Sequence, residues 1–228
     1  STRDKNLDKI TLKYAIFLSK ILMIYLIIGL LVGFFVALPV GAVAVLCINR
    51  TLQYGIKSGF YTGIGVAVAD FLYGTLAVFG LVAVSGESLQ NQPVLRLVGG
   101  LCIMFIGAQM MAKKIDNIKL VDLQKENNFK NAATGALLTI SNPVTVLAFI
   151  SVLSYLNFLL HQVTWIDSIF IVVGIFFGSL IWWVTLCCLA LKLKDNLNLK
   201  KLKKINLFSG FLIFFFGILL ILSTYKLR

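Results

Sequence analysis

Apolar residues in this chain do not recur every third or fourth position, as on an amphipathic helix, but gather in long runs separated by short polar ones. A bilayer core asks for about 20 consecutive apolar residues per helix. Six stretches meet or approach that length, at about 21–48, 58–84, 94–112, 131–160, 168–191 and 205–223. The pattern predicts an all-α integral membrane protein of six transmembrane helices joined by short loops. Composition agrees, with 59% of the 228 residues hydrophobic and 13% charged. No separate soluble domain fits in what is left. Residues 1–20 read as a polar tail or an interfacial amphipathic helix, ahead of one membrane domain at 21–228. The first run lacks a small-residue cleavage site after a short apolar core, so a cleaved signal peptide is not expected.

The net charge of +12 would suggest nucleic acid in a soluble protein. Here Lys and Arg sit almost wholly outside the runs, where they set topology and meet anionic lipid, so lipid and not nucleic acid is the expected partner. The segments after the first, third and fifth runs carry thirteen of them: Arg50 and Lys57; Lys113, Lys114, Lys119, Lys125 and Lys130; Lys192, Lys194, Lys200, Lys201, Lys203 and Lys204. Arg96, Lys226, Arg228 and five in the N-terminal tail fall on the other side. This bias places those three loops in the cytoplasm and both termini outside. Lys9, Lys13 and Lys20 share one face of the tail, and a tail helix lying on the cytoplasmic leaflet would invert the orientation.

The chain repeats itself. Pro39-Val40 in the first run is echoed by Pro143-Val144 in the fourth, Gly63 by Gly174, and Gly100 and Gly107 by Gly210 and Gly217, at offsets of 104, 111 and 110. Two units, about 21–112 and 131–223, each have three spans, so the second enters the membrane from the opposite side. Two inverted three-helix repeats are the architecture of secondary transporters, with substrate bound near the midplane between the halves. Proline removes an amide donor and disrupts the preceding turn, which in lipid is tolerated only against protein or a water-filled cavity. Either proline taken alone could be a simple packing kink. Two at equivalent places, one followed by Gly41 and one preceded by Ser141-Asn142, favour broken helices lining a site.

Of nine acidic residues, Asp70 alone lies near the centre of a run. A carboxylate there costs at least ~2.5 kcal/mol on insertion scales. Gly59, Gly63, Ala67, Asp70 and Gly74 share one helical face, a small-residue stripe that lets helices pack closely and turns Asp70 toward the bundle interior. Such an acid can couple proton movement to cargo movement, or it can make a structural hydrogen bond through Tyr73, Asn142 or an amide freed by proline. Its counterpart in the second unit falls near Ile181 and Trp182, so the halves share a scaffold but not a chemistry. Asn142 could equally bind substrate or cap a broken helix. Of Trp182 and Trp183, well inside the fifth run, one is expected to face the interior. The stripes Gly29 with Gly33 and Gly174 with Gly178 would permit a homodimer.

The stretch "LPVGAVAVLCINRTLQYGIKSGFYTGIGVAVADFLYG", residues 38–74, resembles the N-terminal signature of the lysine exporter (LysE/RhtB) family of bacterial amino-acid efflux transporters. "SNPVTVLAFISVL" is similar to its Asn-Pro motif, and the paired "GxxxxxxG" segments to its third and sixth spans. Ala42 stands where many relatives carry a second proline. The resemblance implies a multi-pass exporter in the bacterial inner membrane that uses the proton gradient to expel amino acids or similar small metabolites, with no cofactor and no enzymatic activity. It carries functional roles to Pro39, Gly41, Gly63, Asp70, Asn142 and Pro143. The chain has no GxxxxGK[ST] loop for ATP.

Two alternatives stand beside this. A metal-ion exporter wants several oxygen or nitrogen ligands, and one buried acid is a thin supply. A membrane thiol-disulfide electron carrier wants two cysteines that can meet, normally one from each half. Cys47 and Cys102 lie in the first unit and Cys187 and Cys188 in the second, none of them in a proline motif, and small apolar fillers suit all four positions.

Overall fold

The computed structural model describes residues 22–38, 41–84, 92–112, 127–142 and 163–192, residues 19, 145, 148 and 149, and individual helical residues between 204 and 222. Pro39, Val40, Pro143, Val144, His161 and the tail before Ser19 lie outside the described residues. Every regular element among those described is an α-helix: α1 (Leu22–Ala37), α2 (Ala42–Tyr54), α3 (Ile56–Val84), α4 (Gln92–Ala112), α5 (Asn128–Ile140) and α6 (Trp165–Lys192). Two helical stretches, Ile56–Gly80 within α3 and the whole of α6, are long and apolar enough to cross a bilayer unaided.

Local chemistry explains the boundaries. The Asn127 side chain accepts the Lys130 amide and caps α5. α6 opens with a reciprocal cap, in which Asp167 accepts from the Thr164 amide and hydroxyl while the Asp167 amide donates back to Thr164 Oγ1. α2 and α3 are joined by Gly55 alone, at φ +88°, a left-handed conformation that glycine adopts without a steric penalty. The apolar pattern places a loop here, with Arg50 in it. The ladder of α2 instead continues through Arg50 to Tyr54, because Asn49, Arg50 and Thr51 are all buried against neighbouring helices.

α3 is the hub, packed against α2, α5 and α6, and α2 in turn meets α6. Glycine sets how closely the helices approach. A Cβ on Gly29 would land on the Ile171 carbonyl and one on Gly33 on that of Ile175, while Gly174 and Gly178 face the Leu26 and Leu30 carbonyls. The two stripes that could have served a dimer thus meet each other within one chain, with α1 and α6 parallel. Gly65 meets the Ala132 backbone and Gly135 that of Thr62, which seats α5 on α3. Gly107 meets the Gly210 carbonyl and Gly217 that of Gly100, so the glycines that mark the internal repeat also touch each other, along antiparallel segments.

Candidate functional site

Asp70 is the midpoint of α3, with fourteen residues on either side. Ser179 holds nearly the same place in α6, with fourteen residues before it and thirteen after. The two meet there: Ser179 Oγ donates to Asp70 Oδ2 at 2.6 Å, and Asp70 is only 2% exposed. The small-residue stripe fixes this orientation along the whole of α3. Gly59 faces Cys187 and Thr51, Gly63 faces the Trp183 side chain and Gly74 faces Ile175, so Asp70 is turned toward α6 as its spacing predicts.

The pair divides the buried interior in two. On one side Val66, Trp182, Trp183, Leu186 and Cys187 cluster with Ala37, Leu38, Val43 and Ala44 from the two edges of the first helix break. On the other, Phe71, Tyr73, Val78, Ile171 and Ile175 cluster with Phe149 and with Val32 and Val36 of α1. Gly33 of α1 packs on Ile175 and Gly178 on the Leu30 carbonyl and the Phe34 amide, so the break that follows Ala37 lies within about a turn of the Asp70–Ser179 pair. At the second break, Tyr73, one turn from Asp70, donates to the Ile140 carbonyl at 2.7 Å and stacks on Phe149. That bond satisfies a carbonyl at the end of α5, where the ladder stops. The Asn142 amide donates to the Thr139 carbonyl, and its own carbonyl accepts from the Thr145 amide beyond the break. Asp70 is thereby flanked along α3 by both interruptions, through Val66 on one side and Tyr73 on the other.

Of the six residues singled out from sequence, the fold gathers Asp70, Gly63 and Gly41 about the first break and places Asn142 at the second, while Pro39 and Pro143 lie outside the described residues. Gly41 is the N-cap of α2 in extended backbone and makes no side-chain cap. No described residue lies within 4 Å of where its Cβ would stand. Ser179 was missed, although it is the one hydroxyl in the apolar run from Ile169 to Val184. Both tryptophans, rather than one, are buried, at 7% and 3% exposure, and neither indole N–H has a hydrogen-bond partner among the described residues.

A second polar group sits toward the Gly55 turn. Arg50, 4% exposed, donates through Nη1 to Thr62 Oγ1 and to the Asn131 carbonyl, both at 3.2 Å. Asn131 Nδ2 donates to Ser58 Oγ at 2.8 Å. These bonds tie α2, α3 and α5 together. Arg50→Ala removes a charged donor from two acceptors and should cost about 2 kcal/mol, lowering the Tm of the detergent-purified protein by about 4–8 °C. Arg50→Lys recovers only part, because an ammonium lacks the guanidinium fork. An unchanged Tm in Arg50→Ala would deny the contacts any structural weight.

The cysteines bring a further surprise. Cys47 of α2 and Cys187 of α6, one from each predicted half, are both buried with their Sγ atoms 3.5 Å apart. The thiol carrier alternative requires such a meeting, and nothing in the spacing of the cysteines along the chain foretells it.

The sequence model of the LysE type translocators matches residues 34–224. The uncharacterized membrane protein YahN of Escherichia coli (strain K12) is 30% identical over 167 residues, covering 72% of this chain and 72% of YahN. The uncharacterized membrane protein YrhP of Bacillus subtilis (strain 168) is 27% identical over 125 residues, covering 50% of this chain and 58% of YrhP. No solved structure matches.

Proposed function

The chain belongs to the LysE type translocator family, membrane transporters of small molecules, and from that premise we propose that it exports amino acids or related metabolites across the bacterial inner membrane by proton antiport. The observation that carries this reading is the Asp70–Ser179 pair at the middle of the two longest described helices, flanked by two broken helices. A carboxylate there can hold a proton in one half of a cycle and a substrate ammonium in the other. Ser179 lends it a donor while it is ionised.

The packing supports two inverted three-span repeats. A two-fold axis in the membrane plane would exchange Gly100 with Gly210 and Gly107 with Gly217. Under that exchange the contact of Gly100 with Gly217 maps onto the contact of Gly107 with Gly210, and both are present. The parallel seam of α1 with α6 likewise maps onto that of α5 with α3, also built on a small-residue approach. In that arrangement five of the six spans are α1 with α2, α3, α4, the broken helix beginning at α5, and α6, and the sixth falls on the apolar run 205–223.

A second reading, a thiol-disulfide electron carrier, draws on the Cys47–Cys187 contact. One experiment addresses both. Proteoliposomes with an imposed proton gradient, surveyed against the proteinogenic amino acids, should move at least one of them, and a protonophore should stop the movement. The variant Cys47→Ala/Cys187→Ala should transport at close to the wild-type rate. Movement of no amino acid would sink the exporter reading, and loss of activity on cysteine replacement alone would favour the second.

A further inference from the structure

We propose that the amino end of α2 is a carboxylate-binding subsite, in which the backbone amides of Ala42, Val43 and Ala44 and the indole N–H groups of Trp182 and Trp183 hold the carboxylate of a zwitterionic α-amino acid whose ammonium faces Asp70. The inference rests on the amino-acid reading above and assigns the opposite end of the same substrate.

Three independent observations converge at the first break. The first bond of the α2 ladder runs from the Val45 amide to the Gly41 carbonyl, so the three amides before it have no acceptor within the helix. Gly41 adds no side-chain cap. These amides point out of the positive end of a thirteen-residue helix, where an anion is favoured. Next, no described residue lies within 4 Å of where a Cβ on Gly41 would stand, whereas one on Gly29, Gly33, Gly63 or Gly178 would strike a neighbour. Finally, the two buried indole N–H groups, which have no hydrogen-bond partner among the described residues, belong to the cluster that holds Ala37, Leu38, Val43 and Ala44, and the Phe34 ring meets Trp182 edge-on at 5.5 Å.

The chemistry of these groups selects the ligand. An indole N–H and a backbone N–H are donors only, so the occupant must bring acceptors. Leaving buried donors empty costs free energy, and a carboxylate oxygen fills them with charge-assisted bonds. A free anion would also meet Asp70 at the same level, where like charges repel. An α-amino acid avoids that conflict, since its ammonium complements Asp70 and its carboxylate complements α2 and the indoles. It also enters with no net charge, which lowers the desolvation cost of occupying a site in the bilayer.

The test uses the full-length protein in proteoliposomes and competition against the amino acid that it carries best in the survey above. The competitors are the unlabelled amino acid, its decarboxylated amine and its α-carboxamide. The amine and the amide should compete at least tenfold more weakly. Trp182→Phe/Trp183→Phe keeps the ring packing and removes both donors, and it should weaken the amino acid about tenfold while leaving the amine unchanged. Gly41→Asp places a carboxylate at the N-cap, where the amides take it up as they would the ligand. This variant stays folded, because the position has room, and it should also lose the preference for the amino acid over the amine. An amine that competes as well as the amino acid would overturn the subsite while the amino-acid reading stood. Equal weakening of all three competitors in the tryptophan variant would do the same. If no amino acid competes or is carried, the amino-acid reading fails and the subsite falls with it.

Discussion

Asp70→Asn should lower proton-driven export by about two orders of magnitude and leave folded protein in the membrane at normal abundance. Asparagine has nearly the shape of aspartate, and its amide oxygen can still accept the Ser179 hydroxyl that lies 2.6 Å from Asp70 Oδ2. Packing against α6 is therefore kept. What is lost is the ability to ionise, and with it any charge-assisted contact to a proton or an ammonium, worth about 1.5–3 kcal/mol, or roughly 10- to 150-fold in an equilibrium constant. Two assays separate the possible roles. Gradient-driven flux reports coupling, and exchange of labelled for unlabelled substrate without a gradient reports binding. If Asp70 only handles the proton, the asparagine variant keeps exchange and loses gradient-driven flux; if it also holds the ammonium, both fall. Gradient-driven flux at the wild-type rate would remove Asp70 from the mechanism.

The second large effect concerns the seam of α1 with α6. Gly178→Leu forces a side chain into the Leu30 carbonyl and its neighbouring backbone. Backbone cannot rotate aside as a side chain can, so the helices must separate along their contact. Overpacking in a tight core costs typically about 1–3 kcal/mol and at times more, and this site belongs at the upper end. The purified protein should lose about 10 °C or more in Tm and elute largely as aggregate in size-exclusion chromatography. Gly80→Ala provides the contrast, since no described residue lies within 4 Å of its Cβ. Removing a glycine from the helix interior there should leave stability unchanged or raise it slightly, by about 0.5–1 kcal/mol. Equal tolerance of both substitutions would show that the seam is not tightly packed in the membrane.

Much of this was legible in one dimension. Apolar run lengths located the described helices, Pro39 with Gly41 and Pro143 with Asn142 marked the two interruptions, and the spacing from Gly59 to Gly74 turned Asp70 inward. Such patterns state which face of a helix is buried but not what it is buried against. Ser179 lies 109 positions from Asp70, and nothing along the chain pairs them. The same holds for Cys47 and Cys187, and for the glycine stripes, whose partners proved to be each other. Arg50 misled for a different reason. A cation beside asparagine and threonine reads as the rim of a membrane span, because burying it is costly. In the fold its cost is offset by Thr62 and by the Asn131 carbonyl, acceptors that come from two other helices. Polar residues near a span end therefore mark a loop only when no other helix supplies partners for them.

The single-residue connection at Gly55 sets the mechanics of the first break. α2 has thirteen residues and so is a rigid lever about 20 Å long, and a tilt of about 10° at its Gly55 pivot sweeps the tip at Gly41 through about 3 Å. That stroke matches the difference between a hydrogen bond made and a hydrogen bond broken. Arg50, close to the pivot, would move by only a fraction of it. A transporter built this way can grip and release at the lever's tip while its anchorage near the pivot stays fastened.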